Sequence, residues 1–368
     1  MTVDWIDGGP WYAWCMATDE VMAYFREHIE MLDGYVPGEQ PTDSDVVKLN
    51  TNENPYPPSP RVLAAVHAIT GEQLRRYPPP LGDAFRQAAA EVHGVRPEMI
   101  VCGNGMDDVL NMTVRAFSGP EARLVYPTPT YTLYAVLAAI EASLVTEVQF
   151  GPRYELPADA LVAADGRVTY LCNPNSPSGT FVPVDQVADL AQRVRGVLVV
   201  DEAYVDFAAT SCMALAGELP NVLVLRTMSK GYSLAGMRFG YGVGSAELID
   251  GLVKVKDSYN VDSVSIAAAA AAVSDQDYAR QTWKRIREER DRLADALAEL
   301  GFDVLPSQSN FLLAAIEQPS ASDVFESLKA RKIYVRYFKQ PRLEDALRIT
   351  VGTPEQNDAL LAALKELI

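Results

Sequence analysis

The chain has 368 residues, 48% hydrophobic and 22% charged, an ordinary globular composition with room for one large domain and a smaller one. Its 49 acidic and 32 basic side chains leave a net charge of −17. That balance argues against nucleic acid or an anionic membrane surface as a partner, while a local cluster of arginines can still hold a small anion.

In chain order, residues 1–47 read as an arm. "TDEVMAYFREHIEML" has a helical pattern, and "DGYVPGEQPTDSD" is rich in turn formers. The arm carries Trp5, Trp11 and Trp14, enough to cover a site or extend an interface. Its start lacks a basic leader and holds Asp4 and Asp7, so no signal peptide is expected.

From Val46 short apolar runs alternate with helical patterns. Strands are predicted at 99–102, 123–127, 167–172, 197–201, 221–225 and 238–244. "MDDVLNMTVRAF", "YTLYAVLAAIEA" and "VDQVADLAQRV" read as helices between them. The alternation predicts an α/β fold, a mostly parallel sheet sandwiched by helices, over residues 48–265. "SIAAAAAAVSDQDYARQTWKRIREERDRLADALAELG" then predicts long helix interrupted near "VSDQD", and its apolar start is too short to span a membrane. "FDVLPSQSNFLLAAI", "IYVRYF" and "ALRITVG" predict strands of a smaller α+β domain, 266–368, closed by the helix "PEQNDALLAALKELI". The arm is counted with that small domain.

The four cysteines are scattered without metal-type spacing, which predicts reduced thiols and a cytoplasmic protein. His28, His67 and His93 read as surface or packing groups, so no metal site is predicted.

The polar residues follow a rule. "GNGMDD", "TPTY", "NPNSPSGT", "DEAY" and "TMSK" each follow or close a predicted strand. In an open parallel sheet, ligands bind beyond the carboxyl ends of strands, so the five clusters describe one site. Gly103 and Gly105 stand between a strand and a helix, where free N–H groups suit a phosphate or simply start a helix. Asp201 closes an apolar strand, where a carboxylate needs a cationic partner or serves as a helix cap. Tyr204 can present its phenol to the same space. Lys230, walled in by small and apolar residues, is a candidate nucleophile of the kind that condenses with carbonyls. Arg238 and Ser229 can pair with an anion beside it.

Together, "GYVPG", "KLNTNENPYPPSP", "LRRYP", "GNGMDDVL", "YPTPTYTLY", "NPNSPSGT", "VVDEAYVDF", "RTMSKGYSLAGMRFGY", "SQSNFLL" and "LRITVGT" resemble the fold-type-I, pyridoxal-5′-phosphate-dependent aminotransferases of classes I and II, and among them the histidinol-phosphate aminotransferase group. The resemblance runs from about Tyr35 to the C-terminus. It implies that Lys230 carries the cofactor covalently and shuttles the substrate proton. It implies that Asp201 pairs with the pyridine nitrogen, that Tyr204 bonds the ring oxygen and that Tyr131 stacks on the ring. Gly105, Met106, Asp107, Thr227, Ser229 and Arg238 correspond to the phosphate cup. Tyr77 corresponds to a tyrosine that reaches the neighbouring subunit's phosphate, which implies a homodimer. Arg348 corresponds to the substrate-carboxylate clamp and Arg336 to a second anion-binding arginine. Tyr35, Asn52 and Asn310 fall on the substrate side.

One position departs from the group. The asparagine that usually precedes the second proline of "NPNSPSG" is Ser176, so the contact to the ring oxygen falls to Ser176, to Asn175 in its place, or to Tyr204 alone. The resemblance implies ping-pong transamination between histidinol phosphate and 2-oxoglutarate, giving imidazole-acetol phosphate and glutamate. An aromatic or other amino-acid aminotransferase, or a decarboxylase of a phosphorylated amino acid, are alternatives on the same scaffold. A silent binding protein would be expected to lack Lys230 or Asp201, and both are present.

Overall fold

All six predicted strands of the large domain form. A computed structural model describes residues 24–368 apart from Val36 and Ser44. Its strands are β1 (Val47–Lys48), β2 (Ile100–Asn104), β3 (Leu124–Thr128), β4 (Val145–Gln149), β5 (Val168–Cys172), β6 (Val197–Asp201), β7 (Val222–Thr227), β8 (Phe239–Gly244), β9 (Asp303–Val304), β10 (Phe311–Ala315), β11 (Ile333–Tyr334), β12 (Arg336–Tyr337) and β13 (Ala346–Thr350). Seven of them make one sheet in the order β2-β8-β7-β6-β5-β3-β4. From β4 to β7 every pairing is parallel, and β8 runs antiparallel to both of its neighbours.

The central strands are apolar throughout because both faces are covered. Along β6, Leu198 and Val200 enter one core while Val199 enters the other, as the two-residue period of a strand requires. Helices α1 (Asp83–His93), α2 (Met106–Phe117), α3 (Leu133–Ile140) and α4 (Val184–Arg193) fall between strands, α2 and α4 within a residue of the predicted stretches. The helix α2 packs into the core with Val199, and α1 and α4 into the core with Leu198. The strand β4 was not anticipated.

The interruption near "VSDQD" is real and separates α5 (Ser263–Ser274) from α6 (Gln276–Glu299). The expected division at 265/266 falls inside α5, and Ile266, Ala268, Ala269 and Ala272 of that helix pack into the large-domain core. The change of core comes along α6, whose Leu293 and Leu297 join Leu312, Ile349 and Leu360 in a separate cluster with α7 (Ala321–Ala330) and α8 (Pro354–Leu367). β1 leaves the arm to pair in parallel with β11 of this smaller unit, and Leu49 enters its core.

The predicted arm helix needs correction. Its described part forms only the turn Glu27–Glu30, where Arg26 and His28 both reach the carbonyl of Ile140. Trp5, Trp11 and Trp14 lie outside the described residues. "IYVRYF" makes two strands of two residues each, β11 and β12, in different sheets.

Candidate active site

The carboxyl ends of β5, β6 and β7 meet segments of the small unit around a cavity of about 270 Å³. Asp201, the last residue of β6, is 1% exposed, yet forms no ion pair among the described residues. It accepts hydrogen bonds from the Tyr134 hydroxyl (2.5 Å) and the Ala203 amide (3.0 Å). Burial pushes its carboxyl up to about 6, against the pull of those two donors. A buried carboxylate without a cation is the group that a protonated ring nitrogen would complete.

Lys230 lies in the turn after β7. Its ammonium donates to the carbonyl of Thr51 at 2.9 Å and sits 5.8 Å from the centre of the Tyr204 ring. Burial, helped by the positive field of Arg348, lowers it to about 8. At pH 7 about a tenth of such an amine is neutral, far more than for an exposed lysine. Tyr204 is buried beside it, edge-on to Phe311 at 4.9 Å, and burial raises its phenol to about 12.

The opposite end of the cavity can hold an anion. Gly105 precedes the first residue of helix α2, its φ of +83° suits glycine, and no side chain among the described residues caps the helix's first N–H groups. A Cβ at Gly105 would lie 2.7 Å from a terminal nitrogen of Arg238, so the glycine lets the guanidinium rest on the loop. Arg238 donates to Ser229 Oγ at 3.4 Å and pairs with Asp107 at 3.3 Å. Met106, Asp107, Thr227, Ser229 and Arg238 line the cavity together. Tyr131 forms its wall and donates to Asp107 Oδ1 at 3.2 Å.

The third side belongs to the small unit. Arg348 on β13 donates to Ser176 Oγ (3.2 Å) and to the carbonyl of Asn50 (3.0 Å), while its Nε has no partner among the described residues. Arg336 also lines the cavity, and the Phe338 ring lies 5.2 Å from the Arg336 guanidinium and 5.4 Å from that of Arg348. Tyr35 lines the cavity too, edge-on to Tyr131 at 6.0 Å.

Two expectations change, at Asn175 and Asn310. Asn175 does not face the cavity: its amide is used by Thr130 Oγ1 (2.8 Å), Ser178 Oγ (2.8 Å) and the carbonyl of Pro129 (3.2 Å), closing the turn from inside. Ser176 occupies the cavity wall instead. Asn310 is buried behind that wall and donates to the carbonyl of Asn52 at 2.9 Å. Asn52 lines the cavity, but its amide is committed to the Tyr204 hydroxyl at 3.0 Å. Tyr77 lies outside this cavity, 80% exposed and stacked on Tyr259 at 4.4 Å. Three contributors escaped the sequence reading: Tyr134, although "PTYTLY" contains it, Phe338 beside the two arginines, and Thr51, which acts through a backbone carbonyl that leaves no mark in a sequence.

A buried acid, a buried amine and an uncapped helix start with an arginine form a matched receptacle for a phosphorylated pyridine aldehyde. The comparisons agree. The family model for aminotransferase class I and II matches residues 44–364, and the chain belongs to that family. Among curated relatives, histidinol-phosphate aminotransferase 1 of Trichormus variabilis is 50% identical over 346 residues, covering 94% of this chain and 99% of the relative. The histidinol-phosphate aminotransferase of Citrifermentans bemidjiense is 43% identical over 347 residues, covering 94% and 99%. Among solved structures, the histidinol-phosphate aminotransferase of Sinorhizobium meliloti in complex with pyridoxal-5′-phosphate superposes with a TM-score of 0.81 at 29% identity, over 87% of this chain and 90% of that one. The L-threonine-O-3-phosphate decarboxylase of Porphyromonas gingivalis shares the fold, with a TM-score of 0.77 at 22% identity over 86% and 98%.

Proposed function

We propose that this pyridoxal 5′-phosphate-dependent aminotransferase takes histidinol phosphate as one substrate and the glutamate/2-oxoglutarate pair as the other. The observation that carries the reading is the placement of Arg348 and Arg336 in one cavity with the Lys230 amine. An amine substrate with an anionic end fits that arrangement, and the names of the relatives at 43–50% identity support the phosphate ester. Arg348, with its free Nε, takes either the glutamate carboxylate or the phosphate, since a guanidinium fork serves both.

The residues divide the work. When bound, the cofactor supplies an aldehyde that condenses with amines and a ring that accepts the electron pair left on the substrate carbon. Lys230 would hold the cofactor through Nζ, and the same atom is placed to move the substrate proton. Asp201 would keep a proton on the ring nitrogen through its buried carboxylate. Tyr204 would give its hydroxyl hydrogen to the ring oxygen, with Ser176 in the same cavity wall. The start of α2, Thr227, Ser229 and Arg238 would hold the phosphate, with Tyr131 beside the ring. Tyr35 and Phe338 exclude water from the substrate side.

We assign Tyr77 to the partner's site in a homodimer. Its ring is large, exposed and stacked on Tyr259 outside its own cavity. Among the described residues no helix is long and apolar enough to cross a membrane, and Cys102, Cys172 and Cys212 are unpaired, which supports a reducing, cytoplasmic setting.

Single-turnover assays test the substrate. Histidinol phosphate is expected to bleach the visible cofactor band at least about a hundredfold faster, per unit concentration, than phenylalanine. Equal rates would move the assignment to an aromatic aminotransferase, and release of carbon dioxide would move it to a decarboxylase.

A further inference from the structure

Asn52 is an oddity. It is 1% exposed, lies in the left-handed region at φ +56° without being glycine, and uses every polar group it owns. Its amide N–H donates to Thr350 Oγ1 at 3.0 Å. The Thr350 hydroxyl returns its hydrogen to Asn52 Oδ1, also at 3.0 Å. The carbonyl of Asn52 accepts from Asn310 Nδ2 at 2.9 Å. Only Nδ2 remains, and it donates to the Tyr204 hydroxyl at 3.0 Å.

That order of donors has a consequence for Tyr204. A phenol that receives a hydrogen from an amide keeps its own hydrogen to give elsewhere, and the receipt makes it a better donor. Tyr204 lines the cavity, so that hydrogen is available there.

The flanking residues extend the link. Thr350 stands two residues beyond Arg348 on β13. The Arg348 guanidinium holds the carbonyl of Asn50, and the Thr350 amide holds that of Leu49. The next carbonyl, Thr51, takes the Lys230 ammonium, and Asn54 Nδ2 bonds the carbonyls of Lys230 and Gly231 at 3.2 Å each. Six consecutive residues thus join the arginine strand to the amine and the phenol.

We propose that Asn52 is a positioning residue that aims the Tyr204 hydrogen into the cavity, and that the segment 49–54 ties the arginine strand to Tyr204 and Lys230. This rests on the reading above, in which Tyr204 and Lys230 face the cofactor.

Three variants of the full-length, cofactor-loaded enzyme test it. Asn52→Asp has the same shape but only accepts on that side, so Tyr204 must turn its hydrogen toward residue 52. Asn52→Gly keeps the left-handed backbone and removes the side chain. Thr350→Val leaves the cavity wall untouched and frees the Asn52 amide to turn. The readouts are the pH midpoint of the visible cofactor band, kcat and KM for glutamate, and borohydride labelling.

Asn52→Asp is expected to raise the midpoint by roughly one pH unit and lower kcat about tenfold, with KM within about twofold. Thr350→Val should move the midpoint the same way by less, and Asn52→Gly by the least. Wild-type midpoints in all three variants, with only thermal stability lost, would overturn the proposal. So would a rise in KM alone, which would return Asn52 to a plain substrate contact. Borohydride should label Lys230 in the wild type and in every variant. A wild-type enzyme that takes no label there would defeat the reading of the site itself, a failure separate from unshifted midpoints on a labelled lysine.

Discussion

Asp201 and Glu202 are adjacent carboxylates with opposite fates. Asp201 faces the cavity and waits for a cation, while Glu202 turns to the other face and meets Arg226 Nε at 2.9 Å, the Cys212 amide at 2.5 Å and Ser211 Oγ at 2.8 Å. The difference sets a pH signature. Asp201 is held near 6 in the folded protein against an ordinary value of 3.8, so its protonated form is the one folding favours. The associated stability is complete below about pH 4 and is lost as the pH rises through 6, a change of about 2–3 kcal/mol. Cofactor-free Asp201→Asn is therefore expected to lose less stability than the cofactor-free wild type across that interval, as measured by denaturant unfolding. Equal losses would mean that Asp201 has its charge compensated within the protein. At this scale the sequence revealed Asp201, Tyr204, Lys230 and Arg238, because each is an unusual residue at a strand end or in the turn beyond one. It left Asn175 and Ser176 both as candidates, neighbours of similar polarity whose roles depend on which one the turn directs inward, and only Ser176 lines the cavity.

Among the elements, the contact between β8 and α2 sets the anion end of the cavity. Gly240 pairs with Gly103 and Thr227 across its two neighbours, and a Cβ there would come 2.3 Å from the Met106 amide nitrogen and 2.6 Å from the Gly105 carbonyl carbon. The glycine lets the start of α2 sit directly on the strand, beside Arg238 at the strand's entry. Gly240→Ala is expected to push the helix start away, weaken cofactor binding about tenfold and cost roughly 1–3 kcal/mol of stability. Equilibrium dialysis and thermal melts read the two effects, and unchanged cofactor affinity would refute the coupling. The helix α2 was legible in "MDDVLNMTVRAF" to the residue because an apolar face recurs at helical spacing after a glycine pair. The strand β4 was not, since its residues are exposed or half-buried at the edge of the sheet and present no apolar run.

At the scale of the whole molecule, the expected homodimer predicts shared sites. Mixing inactive Lys230→Ala with weakened Tyr77→Phe chains should restore activity in hybrid dimers, one site of which combines an intact lysine with an intact tyrosine. Activity that tracks only the proportion of intact lysine would place Tyr77 outside the site. The large sheet, its helices and the smaller α+β unit could be anticipated from local periodicity, because strands and helices are selected by where apolar residues recur over a few positions. The residues carrying the chemistry could be listed for a related reason: a buried strand tolerates a charge only where it ends. Tertiary structure alone decided how those residues work together. Asn52 meets Tyr204 across 152 positions and Thr350 across 298, and Asn310 joins them from 258 positions away. No local pattern encodes such contacts, since they exist only once two separately packed cores bring distant hydrogen-bonding groups out of water and leave each a single partner within reach.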